Sequence, residues 1–157
     1  MTRIRPLREE DFPYIAEWEN TPELWGVSEQ TGPFTTQEIS DFMLRCLDSE
    51  NSEIERWVIL SERAPLGALD IFDWDTASAS CGIGIFITRM EDRSKGHATR
   101  ALHQGIEMLR LRNCKLVRSV IYTDNEKSIR LFEKADFQRA GITNYKGKPA
   151  FHYYREL

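Results

Sequence analysis

The chain has 157 residues and 41% hydrophobic content, enough to bury one substantial core and too short for two ordinary domains, so residues 1–157 are predicted to form a single domain. Its apolar runs are strand-sized and its first residues lack the apolar stretch of a secretory signal, so we expect no membrane segment and a cytoplasmic location. Residues 1–92 contain 7 Lys and Arg against 19 Asp and Glu, whereas residues 93–157 contain 14 against 6. The basic side chains are not clustered with aromatic ones, which argues against a nucleic-acid partner and favours a small polyanion.

In chain order, the N-terminal half predicts a strand, two helices and three further strands. The second helix has the clearest signature, because Thr35 and Glu38 have capping-box spacing and an apolar stripe of helical period follows them. Turn-forming pairs separate the three later strands, which is typical of an antiparallel meander. The predicted ranges are Ile4–Leu7, Glu9–Glu19, a helix after Thr35, Arg56–Ser61, Leu66–Asp73 and Ser80–Ile87.

The second half alternates helices and strands. A helical stripe of apolar residues begins at Gly96 and continues through Leu102 to Leu109. The remaining predicted elements are a strand at Lys115–Tyr122, a helix at Ser128–Ala135, and strands at Phe137–Asn144 and Ala150–Arg155 around a turn at residues 146–149. The order β-α-α-β-β-β-α-β-α-β-β indicates a mixed α/β fold.

The cysteines and histidines do not indicate a metal site. Cys46, Cys81 and Cys114 are odd in number, widely spaced and set in apolar patterns, so we interpret them as reduced core thiols. His103 and His152 have no partners at metal-ligand spacing. No metal is predicted.

A short basic loop lies between the fourth strand and the helix that follows it. Its sequence is Arg93-Ser-Lys-Gly-His-Ala98, and the unpaired N–H groups and positive dipole at a helix start favour an anion such as pyrophosphate. Gly96 and Ala98 are small enough for a ligand to approach the backbone, and Arg93 and Lys95 add positive charge. The spacing alone is equally typical of a plain polar loop, so both interpretations stay open at this point.

Two further motifs accompany the loop in a fixed order. They are the strand Gly82-Ile-Gly-Ile-Phe-Ile-Thr88 and the later segment Asn125-Glu-Lys-Ser-Ile-Arg-Leu-Phe-Glu-Lys-Ala-Asp-Phe137. Together with the loop they resemble the GNAT superfamily of N-acetyltransferases. Three segments of the first half are similar to the branch that contains ribosomal-protein N-terminal acetyltransferases and spermidine acetyltransferases: Trp18–Asn20, Pro33–Thr35 and Gly67–Asp75.

The resemblance implies one GNAT-like domain with a central, mostly antiparallel sheet, splayed fourth and fifth strands, and flanking helices. It also implies an acyltransferase that moves an acetyl group from acetyl-CoA, as co-substrate, to a primary amine by direct attack in a ternary complex. The acidic first half suits a cationic small molecule or a protein amino terminus, although a solvated surface explains many of its charges equally well. Polyamines, amino sugars and aminoglycosides all remain possible acceptors.

The resemblance also assigns the cofactor contacts. Backbone groups of Ile85, Phe86 and Ile87 are expected to bind pantetheine, with an N–H, assigned to Ile87, polarising the thioester oxygen. Asn125 and Ser128 are expected to contact the cofactor, although Asn125 could equally cap its helix. The expected pyrophosphate ligands are the N–H groups of Arg93, Ser94, Lys95, Gly96, His97 and Ala98.

An acceptor amine must be neutral when it attacks, so a carboxylate is expected to take its proton, commonly through water. Glu29, Asp70, Asp73 and Asp75 are candidates, of which Asp70 and Asp73 are best placed beside the cofactor strand. Their odd separation implies that the two side chains do not face the same pocket. Carboxylates of a sheet surface or turn would have the same pattern.

One position departs from the family pattern. Phe132 stands where many relatives have a tyrosine that protonates the departing thiolate, and phenylalanine cannot donate a proton. Tyr122, Tyr145, Tyr153 or water are possible replacements. The alternative function is therefore an acyl-CoA-binding module with impaired catalysis. A homodimer through the C-terminal strands is expected by analogy alone.

Overall fold

The computed structural model describes residues 1–21, 33–48, 53–62, 64–88, 92–93 and 95–157. Within these residues, seven strands and four helices follow one another in the predicted order. The helices are α1 (Phe12–Glu19), α2 (Thr36–Leu47), α3 (His97–Leu111) and α4 (Glu126–Lys134). The strands are β1 (Arg3–Pro6), β2 (Ile54–Leu60), β3 (Pro65–Asp75), β4 (Ser80–Ile87), β5 (Leu116–Tyr122), β6 (Gln138–Tyr145) and β7 (Lys148–Glu156).

The strands form one sheet in the order β1-β2-β3-β4-β5-β7-β6. Neighbouring strands run antiparallel except for β4 and β5, which are parallel. β4 pairs with β5 only from Ser80 to Gly82, although β4 continues to Ile87. The predicted mixed α/β fold, with a mostly antiparallel sheet and a splay between its fourth and fifth strands, is confirmed.

Helices cover both faces of the sheet. α1 and α2 pack on one face, whereas α3 and α4 pack on the other. Because side chains alternate along a strand, β4 contributes to both cores. Ile83, Ile85 and Ile87 lie on the α3 side, and Phe86 lies on the α1 and α2 side. The predicted stripe of α3 is buried at Ala101, Leu102, Gly105 and Leu109, and Ile106 is buried beside it.

Two of the three cysteines lie in the core, as predicted. Cys81 and Cys114 are buried with their Sγ atoms 3.9 Å apart, whereas Cys46 is partly exposed. Burial raises the pKa of Cys46 and of Cys81 to about 12, so both are protonated thiols near neutral pH.

The turns and caps account for the element boundaries. The capping box of α2 is confirmed, because Thr35 and Glu38 each accept the other's backbone N–H at 3.1 Å. The predicted four-residue turn after β6 was wrong, since Lys148 belongs to β7 and the turn is Lys146-Gly147 alone. These two residues have φ angles of 51° and 80°, the left-handed conformation that matches the twist of a two-residue hairpin.

The chain before α1 is held by a buried carboxylate. A helix was predicted from Glu9, but Glu9–Asp11 form a 3₁₀ turn and α1 begins at Phe12. The Asp11 carboxylate accepts two hydrogen bonds from the Arg5 guanidinium, at 2.7 and 2.8 Å, and one from the Arg8 N–H at 2.8 Å. The side chain that fixes this turn therefore also ties it to β1.

Replacing Asp11 with Asn is expected to lower the free energy of unfolding by about 1–3 kcal/mol at neutral pH, because the charge-assisted bonds to Arg5 are weakened. Burial alone would raise the pKa of Asp11, but its bonds to Arg5 and Arg8 more than offset this and lower it. A carboxyl with a lowered pKa stabilises the fold above its unfolded value of about 3.9, and this contribution disappears as the pH falls through the folded value. Urea unfolding from pH 7 to pH 3 should therefore show the difference between wild type and Asp11→Asn shrinking in acid. Asp41→Asn, an exposed change, serves as the control, and a difference independent of pH would contradict the assignment.

Candidate active site

The splay leaves one edge of β4 open in the middle of the sheet. The Thr88 N–H donates to the Leu66 carbonyl of β3 at 2.8 Å. Because peptide groups alternate in direction along a strand, those of Phe86 also face β3, whereas those of Ile85 and Ile87 face away from it, towards the gap. Two of the three residues predicted to bind pantetheine thus present their backbone to the gap. The third, Phe86, directs its own N–H and carbonyl to β3.

The loop at the end of this strand opens α3 with a left-handed glycine. Gly96 has φ 83° and its carbonyl accepts the Arg100 N–H, so the N–H groups of His97, Ala98 and Thr99 precede the first intrahelical donor. No acidic residue lies in the first turn. The helix therefore presents free donors and a positive dipole, as the sequence predicted for this loop.

Side chains of the loop do not all face a ligand. The Arg93 Nε donates to the Ile87 carbonyl at 3.1 Å, which joins the loop to the open edge of β4. Lys95 is exposed, and the side chain of Ala98 packs against the core. Ser94 lies outside the described residues, as does the candidate base Glu29.

The Asn125 side chain caps α4. Its Oδ1 accepts the Ser128 N–H at 3.2 Å, so the capping alternative raised by the sequence is observed. Its amide nitrogen has no hydrogen-bond partner within the described residues. The residue can thus cap the helix with its oxygen while its nitrogen remains available to a ligand carbonyl.

The residues considered as proton donors lie in different surroundings. Phe132 is buried in the core, 4.9 Å from the Phe137 ring centroid and nearly perpendicular to it. The Tyr153 hydroxyl donates to a Glu133 carboxylate oxygen at 2.8 Å and accepts from Arg139, so it is already engaged. Burial raises the pKa of Tyr153.

Tyr122 ends β5, and its ring packs against Tyr145 with a centroid separation of 6.3 Å. The Lys148 ammonium lies 4.6 Å from the Tyr122 ring centroid and 3.2 Å from an Asp124 carboxylate oxygen. The tyrosine candidates are therefore held by core or hairpin contacts.

A buried ion pair on the α1 and α2 face holds one of the two candidate bases. Arg56 donates to both carboxylate oxygens of Asp70 at 2.8 Å and to Glu19 at 2.8 Å, and its side chain is only 5% exposed. Burial alone would lower the pKa of Arg56, but the charges of Asp70 and Glu19 raise it. Asp73, by contrast, is exposed and has φ 50° at a bulge of β3. The structure thus separates the two candidates.

Aromatic rings enclose the Arg56 guanidinium. Its central carbon lies 5.0 Å from the Phe42 ring centroid and 5.3 Å from that of Phe86, and Trp18 packs edge-on against Phe86 at 5.6 Å. Sequence reasoning did not identify Arg56 or Glu19. Arg56 lies opposite Asp70 in the β2–β3 pairing, but the register shifts between Ile59 and Leu60, so counting back from the intervening turn would have placed Leu69 there instead.

A cavity of about 370 Å³ lies next to this ion pair, between the ends of α1 and α2. Three carboxylates and two phenylalanines line it, beside an arginine. The cavity residues are Glu19, Phe34, Glu38, Ile39, Asp41, Phe42 and Arg45. Carboxylates combined with aromatic faces are the groups that attract an ammonium ion.

The face of β4 that is directed towards α1 and α2, here called the acceptor side, has little side-chain bulk at Gly82 and Gly84. A Cβ atom on Gly82 would overlap the Phe72 ring, whereas one on Gly84 would meet that ring at an ordinary 3.7 Å. Phe72 therefore covers Gly82, and the surface beside Gly84 is left open. This surface lies on the same face of the sheet as Asp70, which pairs with Gly84.

A family model described as an acetyltransferase (GNAT) domain matches residues 2–138. The chain belongs to the GNAT acetyltransferase family. This GNAT protein is therefore an acetyl-CoA-dependent N-acetyltransferase, as the sequence resemblance implied. Among curated proteins, none matches its sequence.

Solved structures share the fold at low sequence identity. A spermidine N-acetyltransferase from Vibrio cholerae, in complex with CoA and spermine, is 15% identical with a TM-score of 0.87, covering 99% of this chain and 95% of that one. The aminoglycoside acetyltransferase AAC(6')-Ib, in complex with CoA and kanamycin, is 18% identical with a TM-score of 0.81, at the same coverage. A domain from Methanocaldococcus jannaschii is 18% identical with a TM-score of 0.82, covering 100% and 99%. At such identities the likeness establishes the fold.

No helix among the described residues is long and apolar enough to cross a membrane. No group of three or more His, Cys, Asp or Glu side chains in this part of the chain is arranged to hold a metal ion.

Replacing Arg56 with Met is expected to lower the free energy of unfolding by about 3–5 kcal/mol, because Asp70 and Glu19 lose the cation between them. The double variant Arg56→Met/Asp70→Leu should be less destabilised than the sum of the two single changes, since it removes one of the uncompensated charges. Urea unfolding of the four proteins measures this coupling. Arg112→Met is the matched control: Arg112 also forms a bidentate pair, with Glu55, but is 39% exposed, so its loss should change stability by less than about 1 kcal/mol. Additive changes at Arg56 and Asp70 would contradict the interpretation.

Proposed function

We propose that this acetyltransferase acts on a primary amine of a cationic small molecule, by direct attack on the acetyl-CoA thioester in a ternary complex. The observation that carries the proposal is the open edge of β4 beyond Gly82, which ends at the free N–H groups of α3. An extended chain with amide groups, such as pantetheine, can pair with Ile85 and Ile87 as an added strand. Its pyrophosphate would then lie at the loop from Arg93 to Ala98.

The choice of a cationic acceptor rests on charge and shape. The cavity between α1 and α2 has Glu19, Glu38 and Asp41 around it, and the ion pair of Arg56 connects this cavity to the acceptor side of β4. The two similar acetyltransferases contain spermine and kanamycin, which both carry several amines. The amino terminus of a protein is also a cationic amine and fits the acidic cavity equally well, so a peptide with a free amino terminus is included among the acceptors to be assayed.

The acceptor nitrogen loses two protons: one turns the ammonium ion into the neutral amine that attacks, and the second leaves after the nitrogen has bonded to the carbonyl carbon. We propose that Asp70 takes the first proton through a water molecule and that Asp73 takes no part. Asp70 of β3 lies opposite Gly84 of β4, and neighbouring strands are ~4.8 Å apart. Because Gly84 has no side chain, there is space for a water molecule between the Asp70 carboxylate and the open edge of β4. Arg56 holds this carboxylate in place.

The amine nitrogen then bonds to the carbonyl carbon as the carbon–sulfur bond breaks. The Ile87 N–H is the group proposed to stabilise the negative charge on the thioester oxygen. Free CoA and an acetylated amine are the products. Since Phe132 offers no proton, we propose that water carries the second proton of the nitrogen to the thiolate, which is a tolerable leaving group because a thiol has a pKa of about 8.5.

The buried position of Phe132 supports a second candidate function, a module that binds acyl-CoA with impaired catalysis. It differs from the first in one measurable property, the release of free thiol.

Purified protein with acetyl-CoA is expected to release free thiol when spermidine, spermine or an aminoglycoside is present, because these acceptors match the acidic face. A panel containing those amines, glucosamine and a peptide with a free amino terminus should be assayed with a thiol reagent, and acetylated products identified by mass spectrometry. Uncharged alcohols are the negative control. Calorimetric binding of acetyl-CoA without thiol release across the panel would favour the second function, and no binding would reject both.

Asp70→Asn is expected to lower kcat/KM by about 10²-fold or more, since a positioned general base contributes at least this much. The matched control, Asp73→Asn in the same strand, should stay within about threefold of wild type. Asp70→Asn should keep the wild-type affinity for acetyl-CoA, which loosened packing around Arg56 and β4 would weaken. Equal activities of the two variants would eliminate Asp70 as the base.

A further inference from the structure

Arg100 occupies the first turn of α3, and its guanidinium folds back over the basic loop of residues 93–98. Its Nε donates to Thr2 Oγ1 at 2.8 Å, and Nη2 donates to the Lys95 carbonyl at 3.0 Å. Nη1 lies beside Gly96, because a Cβ atom placed on that glycine would be 2.7 Å from it. This third nitrogen has no hydrogen-bond partner within the described residues.

Thr2 is a rigid anchor for this side chain. The residue is 3% exposed, and the Gln104 amide holds its backbone by donating to the Thr2 carbonyl at 2.8 Å. Thr2 Oγ1 also lies 2.8 Å from His97 Nδ1, so a second hydrogen bond, whose donor depends on the imidazole tautomer, holds the hydroxyl in place. Burial and the nearby charge of Arg100 lower the pKa of His97, which favours the neutral ring beside the arginine.

The position of Arg100 is electrostatically unfavourable without an anion. A cation in the first turn of a helix opposes the helix dipole, and here Lys95 adds a second positive charge while the first turn contains no acid. A bound phosphate would reverse this, since it would neutralise both the dipole and the guanidinium. The loop sequence predicts that Arg93 contributes positive charge for a phosphate. Its Nε instead donates to the Ile87 carbonyl.

We propose that Arg100, positioned by Thr2 and the Lys95 carbonyl, binds a phosphate group of CoA through Nη1. The inference rests on the proposed function, because it takes CoA as the ligand of the loop. Arg100 lies outside the six residues of the loop motif, and its role depends on an anchor 98 positions away in the sequence.

Calorimetric titration with CoA provides the test. Arg100→Met keeps the apolar stem and removes the charge, and it is expected to raise Kd about tenfold or more, the effect of one charge-assisted hydrogen bond. Arg110→Met removes an arginine from the last turn of the same helix and should leave Kd unchanged. Urea unfolding midpoints of both variants report whether the fold is intact.

The anchor has its own test. Thr2→Val removes the hydroxyl with little change of shape and should raise Kd severalfold, whereas Thr2→Ser should restore wild-type binding. In the Arg100→Met background, Thr2→Val should have no further effect, because the side chain it positions is gone. Equal and additive effects of Thr2→Val in both backgrounds would show that Thr2 does not act through Arg100.

Dephospho-CoA, which lacks the 3′-phosphate, identifies the phosphate group. If Arg100 binds the 3′-phosphate, Arg100→Met weakens CoA alone; if it binds the pyrophosphate, both ligands are weakened, and either result supports the proposal. Unchanged affinity of Arg100→Met for both ligands, with wild type binding CoA normally, would overturn the role of Arg100 and leave the proposed function intact. A wild-type protein that binds no CoA would contradict both.

Discussion

The separation of β4 from β5 beyond Gly82 is the constraint on which the rest of the molecule depends. A strand that loses its neighbour inside a sheet has unpaired N–H and carbonyl groups, which are unfavourable unless water or another chain satisfies them. The protein meets this demand only in part, through the Arg93 bond to the Ile87 carbonyl. The remaining groups face a gap flanked by α3 and α4, so the same discontinuity that interrupts the sheet creates a place for an extended cofactor.

The two faces of the sheet have different chemistry. The α3 face is apolar and ends in the cationic loop. The opposite face contains a fully buried arginine with two carboxylates, enclosed by the rings of Phe42 and Phe86. Burying three charges is favourable only when every one of them is paired, so the position of Asp70 is fixed by the same bonds that make the cluster tolerable. Glu19 links that cluster to the acidic cavity between the first two helices.

The elements of the fold could largely be predicted from the sequence because each depends on local periodicity. The range of β4 was predicted without error, and the buried stripe of α3 followed from the helical period. The hairpin after β6 was predicted too wide, because Lys146 adopts a left-handed conformation that is usual for glycine or asparagine and gives no local signal in a lysine.

The site was less predictable, because its contacts join distant parts of the chain. The motifs located the loop and the cofactor strand, yet they did not show that Arg93 turns towards the strand or that Arg100 reaches Thr2. The partner of Asp70 likewise depends on strand register, which shifts by one residue between Ile59 and Leu60 and gives no signal in the sequence pattern. Charge and residue type identify candidates, but only the tertiary contacts show which of them are already engaged.

The alternation of isoleucine and glycine along β4 has an evolutionary consequence. Ile83, Ile85 and Ile87 belong to the core beneath α3, whereas Gly82 and Gly84 lie on the opposite face with Phe72 and Asp70. Substitutions on one set of positions therefore leave the other set untouched. On the proposed placement of the two substrates, a lineage built on this strand can exchange one acceptor for another through residues of the glycine face while the binding site of the acetyl donor is inherited unchanged.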